Sequence, residues 1–183
     1  MKVLGIIPSR YESTRFPGKS LIDIMGKTMI QRVYEQAKKS KQLDDLVVAT
    51  DDQRIFEKVK SFGGSVIITG KHHKNGTERC LEVAKSLRAQ FVVNIQGDEP
   101  FIQPEQIDEL CSIISSDTDL ATLIKRIKDP SDLENPNLVK VVKSLDDYAL
   151  YFSRSPIPFD RSMNKVPTLP SKKIYWKHIG IYA

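Results

Sequence analysis

The chain has 183 residues, 40% of them hydrophobic, and a formal net charge of +5 from 28 basic and 23 acidic residues. That length and composition suit a globular α/β chain with a full core and exclude a fibrous or disordered protein. The charge excess is mild, so it fits an anionic small substrate as readily as nucleic acid.

The first predicted element is a strand over Val3 to Ile7, stopped by Pro8, which has no backbone N–H to give a ladder. A polar loop follows, with three fixed cations at Arg10, Arg15 and Lys19, and Pro17 and Gly18 stiffen it. A short apolar run feeding a basic loop suits the carboxyl end of a parallel strand, where open α/β sheets bind ligands. Three cations on one loop imply a ligand with several negative charges, and a triphosphate fits. Gly18-Lys19-Ser20 imitates the end of a Walker A loop, but that pattern needs glycine at position 13, where this chain has Ser13.

Three helices announce themselves by apolar residues at i, i+3, i+4 and i+7. They are Ile30, Val33, Tyr34 and Ala37; Cys80, Val83, Ala84 and Leu87; and Ile107, Leu110, Cys111 and Ile114. A fourth, around Ile55, Val59 and Phe62, is less regular. Between them lie strand-like runs at Leu46 to Thr50, Ser65 to Thr69 and Phe91 to Ile95. This alternation predicts a mostly parallel sheet with helices on both faces. Asp51 and Asp52 can cap the second helix, and Gly63-Gly64 can end it.

After Ser116 the pattern changes to short strands, Ala121 to Ile127, Val139 to Lys143 and Ala149 to Ser153, joined by turn-rich links such as Asp129-Pro130 and Asn135-Pro136-Asn137. We read this half as a β-rich elaboration, so residues 1–183 form a single domain. Val166 to Lys172 reads as a surface loop, and Ile174 to Ala183 as a last strand. Cys80 and Cys111 fall on apolar helical positions without metal-ligand spacing, as core thiols of a reducing compartment do. The N-terminal apolar run is too short for a signal peptide, and no stretch is long enough to span a membrane. The expected address is the cytoplasm.

Gln96-Gly97-Asp98-Glu99-Pro100 directly follows the strand Phe91 to Ile95, so it lies at the same sheet edge as the basic loop. Mg2+ prefers carboxylate and phosphate oxygens, which makes Asp98 its candidate ligand; the same residues would also make a good plain turn. Asn75-Gly76-Thr77-Glu78-Arg79 opens the third helix, and Gly76 with Arg79 could receive an anion or a base edge there. A bare capping segment would look the same. His72 and His73 are adjacent, so their side chains are expected to diverge and not to form a metal pair. Arg154 follows a strand and could hold a carboxylate by two parallel hydrogen bonds. Arg161, His178 and Tyr182 come from the same half, and His178 alone reads as a structural histidine.

These pieces together resemble the 3-deoxy-manno-octulosonate cytidylyltransferase family. The matching segments are IIPSRYESTRFPGKSL (6–21), VVATDD (47–52), NGTER (75–79), NIQGDEP (94–100), NPNLVKVV (135–142), YALYFSRSPIP (148–158) and HIGIY (178–182), in family order along the whole chain. The resemblance implies a Rossmann-like nucleotidyltransferase fold, Mg2+ as cofactor, and transfer of CMP from CTP to the anomeric hydroxyl of the keto sugar acid. It implies CTP binding by Arg10, Arg15 and Lys19, with Gly76 and Arg79 also at the nucleotide. Lys19 and Asp98 would be catalytic, Asp98 as metal ligand. It implies Gln96, Arg154, His178 and Tyr182 around the sugar acid, a homodimer, no nucleic-acid or membrane partner, and a place in lipopolysaccharide assembly. Two departures stand out. Position 75 is asparagine where serine is expected, and family members continue past Ala183, where a second metal-binding aspartate is expected. The alternatives are a cytidylyltransferase for an amino-substituted or sialic acid and, from another class, a non-catalytic RNA-binding protein. The latter would want exposed aromatics among its basic residues.

Overall fold

The computed structural model describes residues 2–12, 16–159 and 174–183. The chain divides into two compact units, one running to Ala121 and including Ile181–Ala183, the other Thr122–Gly180.

The first unit grows around β1 (Val3–Ser9), which is buried along almost its whole length. Around the linking 3-10 turn Lys19–Leu21 come two two-residue strands, β2 (Asp23–Ile24) and β3 (Lys27–Thr28), which pair as a small hairpin. Then follow α1 (Met29–Ala37), β4 (Asp45–Thr50), α2 (Gln53–Ser61), β5 (Val66–Ile68), α3 (Gly76–Leu87), β6 (Phe91–Asn94) and α4 (Pro104–Ser112). Strands pair in the order β5-β4-β1-β6, all parallel. The first two crossovers return the chain to a neighbouring strand, and α3 carries it back past β4 and β1 so that β6 pairs with β1.

Burial explains why β1 carries no polar alternation. Leu4 and Ile6 face Cys80 and Val83 of α3, together with Val47 and Ala49 of β4. Val3 and Ile7 on the other face are equally buried, and α1 packs against β1 and β4. Helices on both faces leave the central strands β1 and β4 almost no solvent side. Both cysteines are buried and unpaired; burial pushes the Cys80 thiol up to about 12 and the Cys111 thiol up to about 11, so both stay protonated as core residues.

The second unit holds β7 (Thr122–Arg126), α5 (Pro130–Glu134), β8 (Lys140–Lys143), β9 (Ala149–Ser153) and the first residues of β10 (Trp176–Tyr182). β8 pairs antiparallel with β9 and with β10, and a small core forms from Ile127, Leu133 and Tyr175. The turn expected at Asp129-Pro130 is a short helix instead. Asp129 accepts the Ser131 N–H at 2.9 Å as its cap, and proline fills the first helical position. The loop expected over 166–172 lies outside the described residues. Among the described residues no helix is long and apolar enough to cross a membrane.

Candidate active site

β1 and β6 run side by side in parallel, with Ile6 paired to Asn94, the last residue of β6, and β1 running on to Ser9. The loops that leave them meet at a cleft of about 500 Å³, and the N-terminus of α3 closes its far side. Arg10 and Lys19 come from the loop after β1, Gln96, Gly97 and Asp98 from the loop after β6, and Gly76 and Arg79 from α3; all line the cleft. Arg15 and Arg161 lie outside the described residues.

Pro8 is the point on which these parts close. A Cβ on Gly97 would stand 3.0 Å from the Pro8 carbonyl oxygen, and one on Gly76 would stand 3.1 Å from the Pro8 ring. The two glycines let the second loop and the helix start come against the end of β1. The loop after β1 is closed on itself. Gly18 N–H donates to the Tyr11 carbonyl at 2.8 Å, and the buried Ser9 hydroxyl donates to Ser20 at 2.7 Å. Gly18 has φ 72°, a left-handed turn that a side chain would strain. The Arg54 guanidinium lies 3.3 Å from the centre of the Tyr11 ring and is itself held by Asp52 at 2.7 Å.

Lys19 Nζ donates to Asp98 Oδ2 at 2.6 Å, and both side chains are about half exposed. The residue expected to hold phosphate and the one expected to hold metal are therefore paired with each other. An exposed pair of this kind contributes only ~0–1 kcal/mol, so a phosphate and a cation can part it at little cost. Next to it, burial pushes the Glu99 carboxyl up, with the Asp98 charge adding to the shift. The half-exposed Asp98 carboxylate is an oxygen donor of the kind Mg2+ prefers.

Arg79 behaves differently from the other cations. It is 3% exposed. Its guanidinium donates to Asp51 at 2.7 Å, to Thr69, and to the Gly70 carbonyl at 3.3 Å. It fastens the end of β4 to the start of α3 and so shapes the wall. Asn75, the departure from the expected serine, works as the helix cap: its side chain accepts the Glu78 N–H at 2.9 Å. Ser9, Ser20, Phe16, His73 and Lys74 also line the cleft, and sequence reasoning passed over them as site residues. For Lys74 the signal was its place directly before the cap of the third helix, where an anion would be drawn.

The expectation that His72 and His73 diverge does not hold. Their ring centres lie 4.3 Å apart, because the turn before α3 brings both rings to one side.

Of the sugar-acid candidates, Gln96 alone lies among the described residues that line the cleft. Gln96 is half-buried in the cleft. Tyr182 pairs with Asn94 in the first unit, and burial raises its hydroxyl pKa. Arg154 and His178 belong to the second unit. Ser153 pairs with Lys140, and Lys140 with Lys177, so β8 lies between β9, which Arg154 directly follows, and β10, which carries His178. Arg154 donates to the Pro136 carbonyl at 2.7 Å. His178 lies 2.8 Å from the Thr122 hydroxyl, with the Phe152 ring edge against it, and burial lowers its pKa.

A parallel sheet with a phosphate-ready cleft at its strand ends is the arrangement of a nucleotidyltransferase. A nucleotidyl transferase from Methanothermobacter shares that fold at TM-score 0.59 and 13% identity, over 72% of this chain and 68% of that one. The family model for cytidylyltransferases matches residues 4–183. A 3-deoxy-manno-octulosonate cytidylyltransferase of Cytophaga hutchinsonii is 48% identical over the whole chain and 74% of its own length. That of Parabacteroides distasonis is 50% identical over the whole chain and 74% of its own length. The solved CMP:2-keto-3-deoxy-manno-octonic acid synthetase in complex with CTP superposes at TM-score 0.89 with 42% identity, over the whole chain and 73% of that chain. The chain belongs to the 3-deoxy-manno-octulosonate cytidylyltransferase family.

Proposed function

We propose that this chain binds CTP in the cleft and passes its CMP part to the anomeric hydroxyl of 3-deoxy-manno-octulosonate, releasing pyrophosphate. The observation that carries the reading is the Lys19–Asp98 pair at 2.6 Å, a phosphate-binding cation and a metal-binding carboxylate at one point of the cleft.

In this reading Arg10, Arg15 and Lys19 hold the β- and γ-phosphates, and Lys74 adds charge from the opposite wall. The Gly76 end of α3 receives the nucleotide, and Arg79 acts by fixing that wall. Asp98 would hold Mg2+, which would neutralise phosphate charge and lower the cost of charge at the reacting phosphorus. The sugar hydroxyl attacks the α-phosphorus in line. A new O–P bond forms, the bond to the β-phosphate oxygen breaks, the hydroxyl proton leaves, and pyrophosphate departs. The protein positions the reactants and neutralises charge. Gln96 is assigned to the sugar acid from inside the cleft; Arg154, His178 and Tyr182 are assigned to it on family membership.

We further assign the reaction to lipopolysaccharide assembly in the cytoplasm, residues 1–183 to a single nucleotidyltransferase domain, and the working form to a homodimer. Support for the dimer comes from the edge strand β9, where Leu150, Tyr151 and Phe152 stand exposed. Calorimetry with Mg2+ tests the central claim. CTP should bind more tightly than CMP, and adding the keto sugar acid should release pyrophosphate. Equal affinity for CTP and CMP would sink the triphosphate assignment.

A further inference from the structure

We propose that His72, His73 and Glu82 form a binding site for a zinc-type divalent metal, one that fastens the turn before α3 to the helix itself. Among the described residues these three form a group whose ligand atoms all lie within 4.8 Å of one another. Tetrahedral zinc, with bonds of about 2.0–2.1 Å, spaces its ligands roughly 3.3 Å apart, so small side-chain shifts suffice.

Each member is held in place. Glu82 lies on α3, and its two carboxylate oxygens accept the Gly70 N–H at 3.3 and 3.1 Å. His73 Nε2 is hydrogen-bonded to Glu82 Oε2, and its side chain is only 8% exposed. The His73 bond and the Gly70 N–H together fix the Glu82 carboxylate beside the two histidines. A Cβ on Gly70 would collide with the His72 ring; glycine leaves the space that ring occupies. His72 is exposed, which gives a metal its route in and leaves a fourth position for water.

The donor set decides the metal class. Two imidazoles and one carboxylate suit zinc, copper or nickel, whereas Mg2+ wants oxygen alone. This site is therefore chemically distinct from the carboxylate at Asp98 and does not depend on the reading of the cleft. A His73–Glu82 hydrogen bond alone would explain two of the three residues and leave the placement of the His72 ring unexplained. A metal uses all three and takes the place of the shared proton. The Gly70 N–H then serves as the outer hydrogen bond that orients the carboxylate.

The test is calorimetric titration of the untagged, chelator-treated chain with Zn2+, with thermal melts alongside. One Zn2+ should bind per chain and raise the melting temperature. His72→Ala, at an exposed position, keeps the fold and should weaken binding at least about tenfold, the cost that even outer partners of metal ligands carry. Glu82→Gln should weaken it similarly. His178→Ala, at the third histidine, should leave the titration unchanged. The proposal is overturned if the intact chain binds no stoichiometric Zn2+, if both His72→Ala and Glu82→Gln bind as the parent does, or if His178→Ala abolishes binding.

Discussion

On the β1 side of the cleft Arg10 stands in solvent, and Lys19 meets the half-exposed Asp98 carboxylate. On the α3 side Arg79 is 3% exposed and bonded to Asp51, Thr69 and Gly70. Both walls present basic residues to the same ligand space, and a sequence shows them as equivalent. They differ in solvation. A cation left in water can exchange its partner for a phosphate cheaply, while a desolvated one is committed, because removing its partner strands a charge. On the proposed reading Arg10 and Lys19 bind from the β1 wall, and Arg79 holds the shape of the α3 wall.

Substitutions should separate the two roles, and the largest effect belongs to the buried charge. Arg79→Ala should cost about 3–5 kcal/mol of stability in urea unfolding, since it leaves Asp51 without its buried partner. If Arg79→Ala weakened CTP binding while its unfolding midpoint stayed put, the division between the walls would fail. Lys19→Ala should do the reverse, weakening CTP binding by about 1.5–3 kcal/mol for lost charge-assisted bonds and CMP binding much less. Its melting temperature should barely move, because the pair it breaks is exposed.

Gly97→Ala tests the seam between the walls. The added methyl meets the Pro8 carbonyl oxygen at 3.0 Å, so backbone must shift. We expect a loss of about 1–3 kcal/mol in stability, the range for overpacking, with weaker CTP binding alongside. A variant with normal stability and normal binding would show that the loop after β6 need not press on β1.

The smallest effect extends the same contrast to the second unit, where burial lowers the His178 pKa from its ordinary 6.5. The unfolded chain then takes up the proton first as pH falls, so stability should drop as pH is lowered through the ordinary value. His178→Asn should flatten that part of the stability profile. An unchanged pH slope in the variant would place the titration on another group.

Much of this was legible from residue order. The run Val3 to Ile7 had no polar alternation because both faces of β1 are covered, and the 3.6-residue stripes marked α1, α3 and α4 as amphipathic. The basic loop and the Gln96-Gly97-Asp98 loop could be set at one sheet edge, because parallel strands joined by helices all end on the same side. The two-residue hairpin of β2 and β3 was missed, since strands so short carry no periodicity. So was α5, whose Asp129-Pro130 start reads equally as a turn or a helix cap.

What the sequence determined by itself was the alternation of strands and helices, the family, and the chemical types gathered at the cleft. Those follow from local period and residue identity, which act over a few residues. Tertiary structure alone decided that Lys19 faces Asp98, that Arg79 is committed to Asp51, and that Pro8 is where Gly76 and Gly97 close in. It also brought Glu82 to two histidines that adjacency suggested would part. Each of these depends on which neighbour the fold supplies from another element, and a pairing of that kind leaves no mark on local sequence.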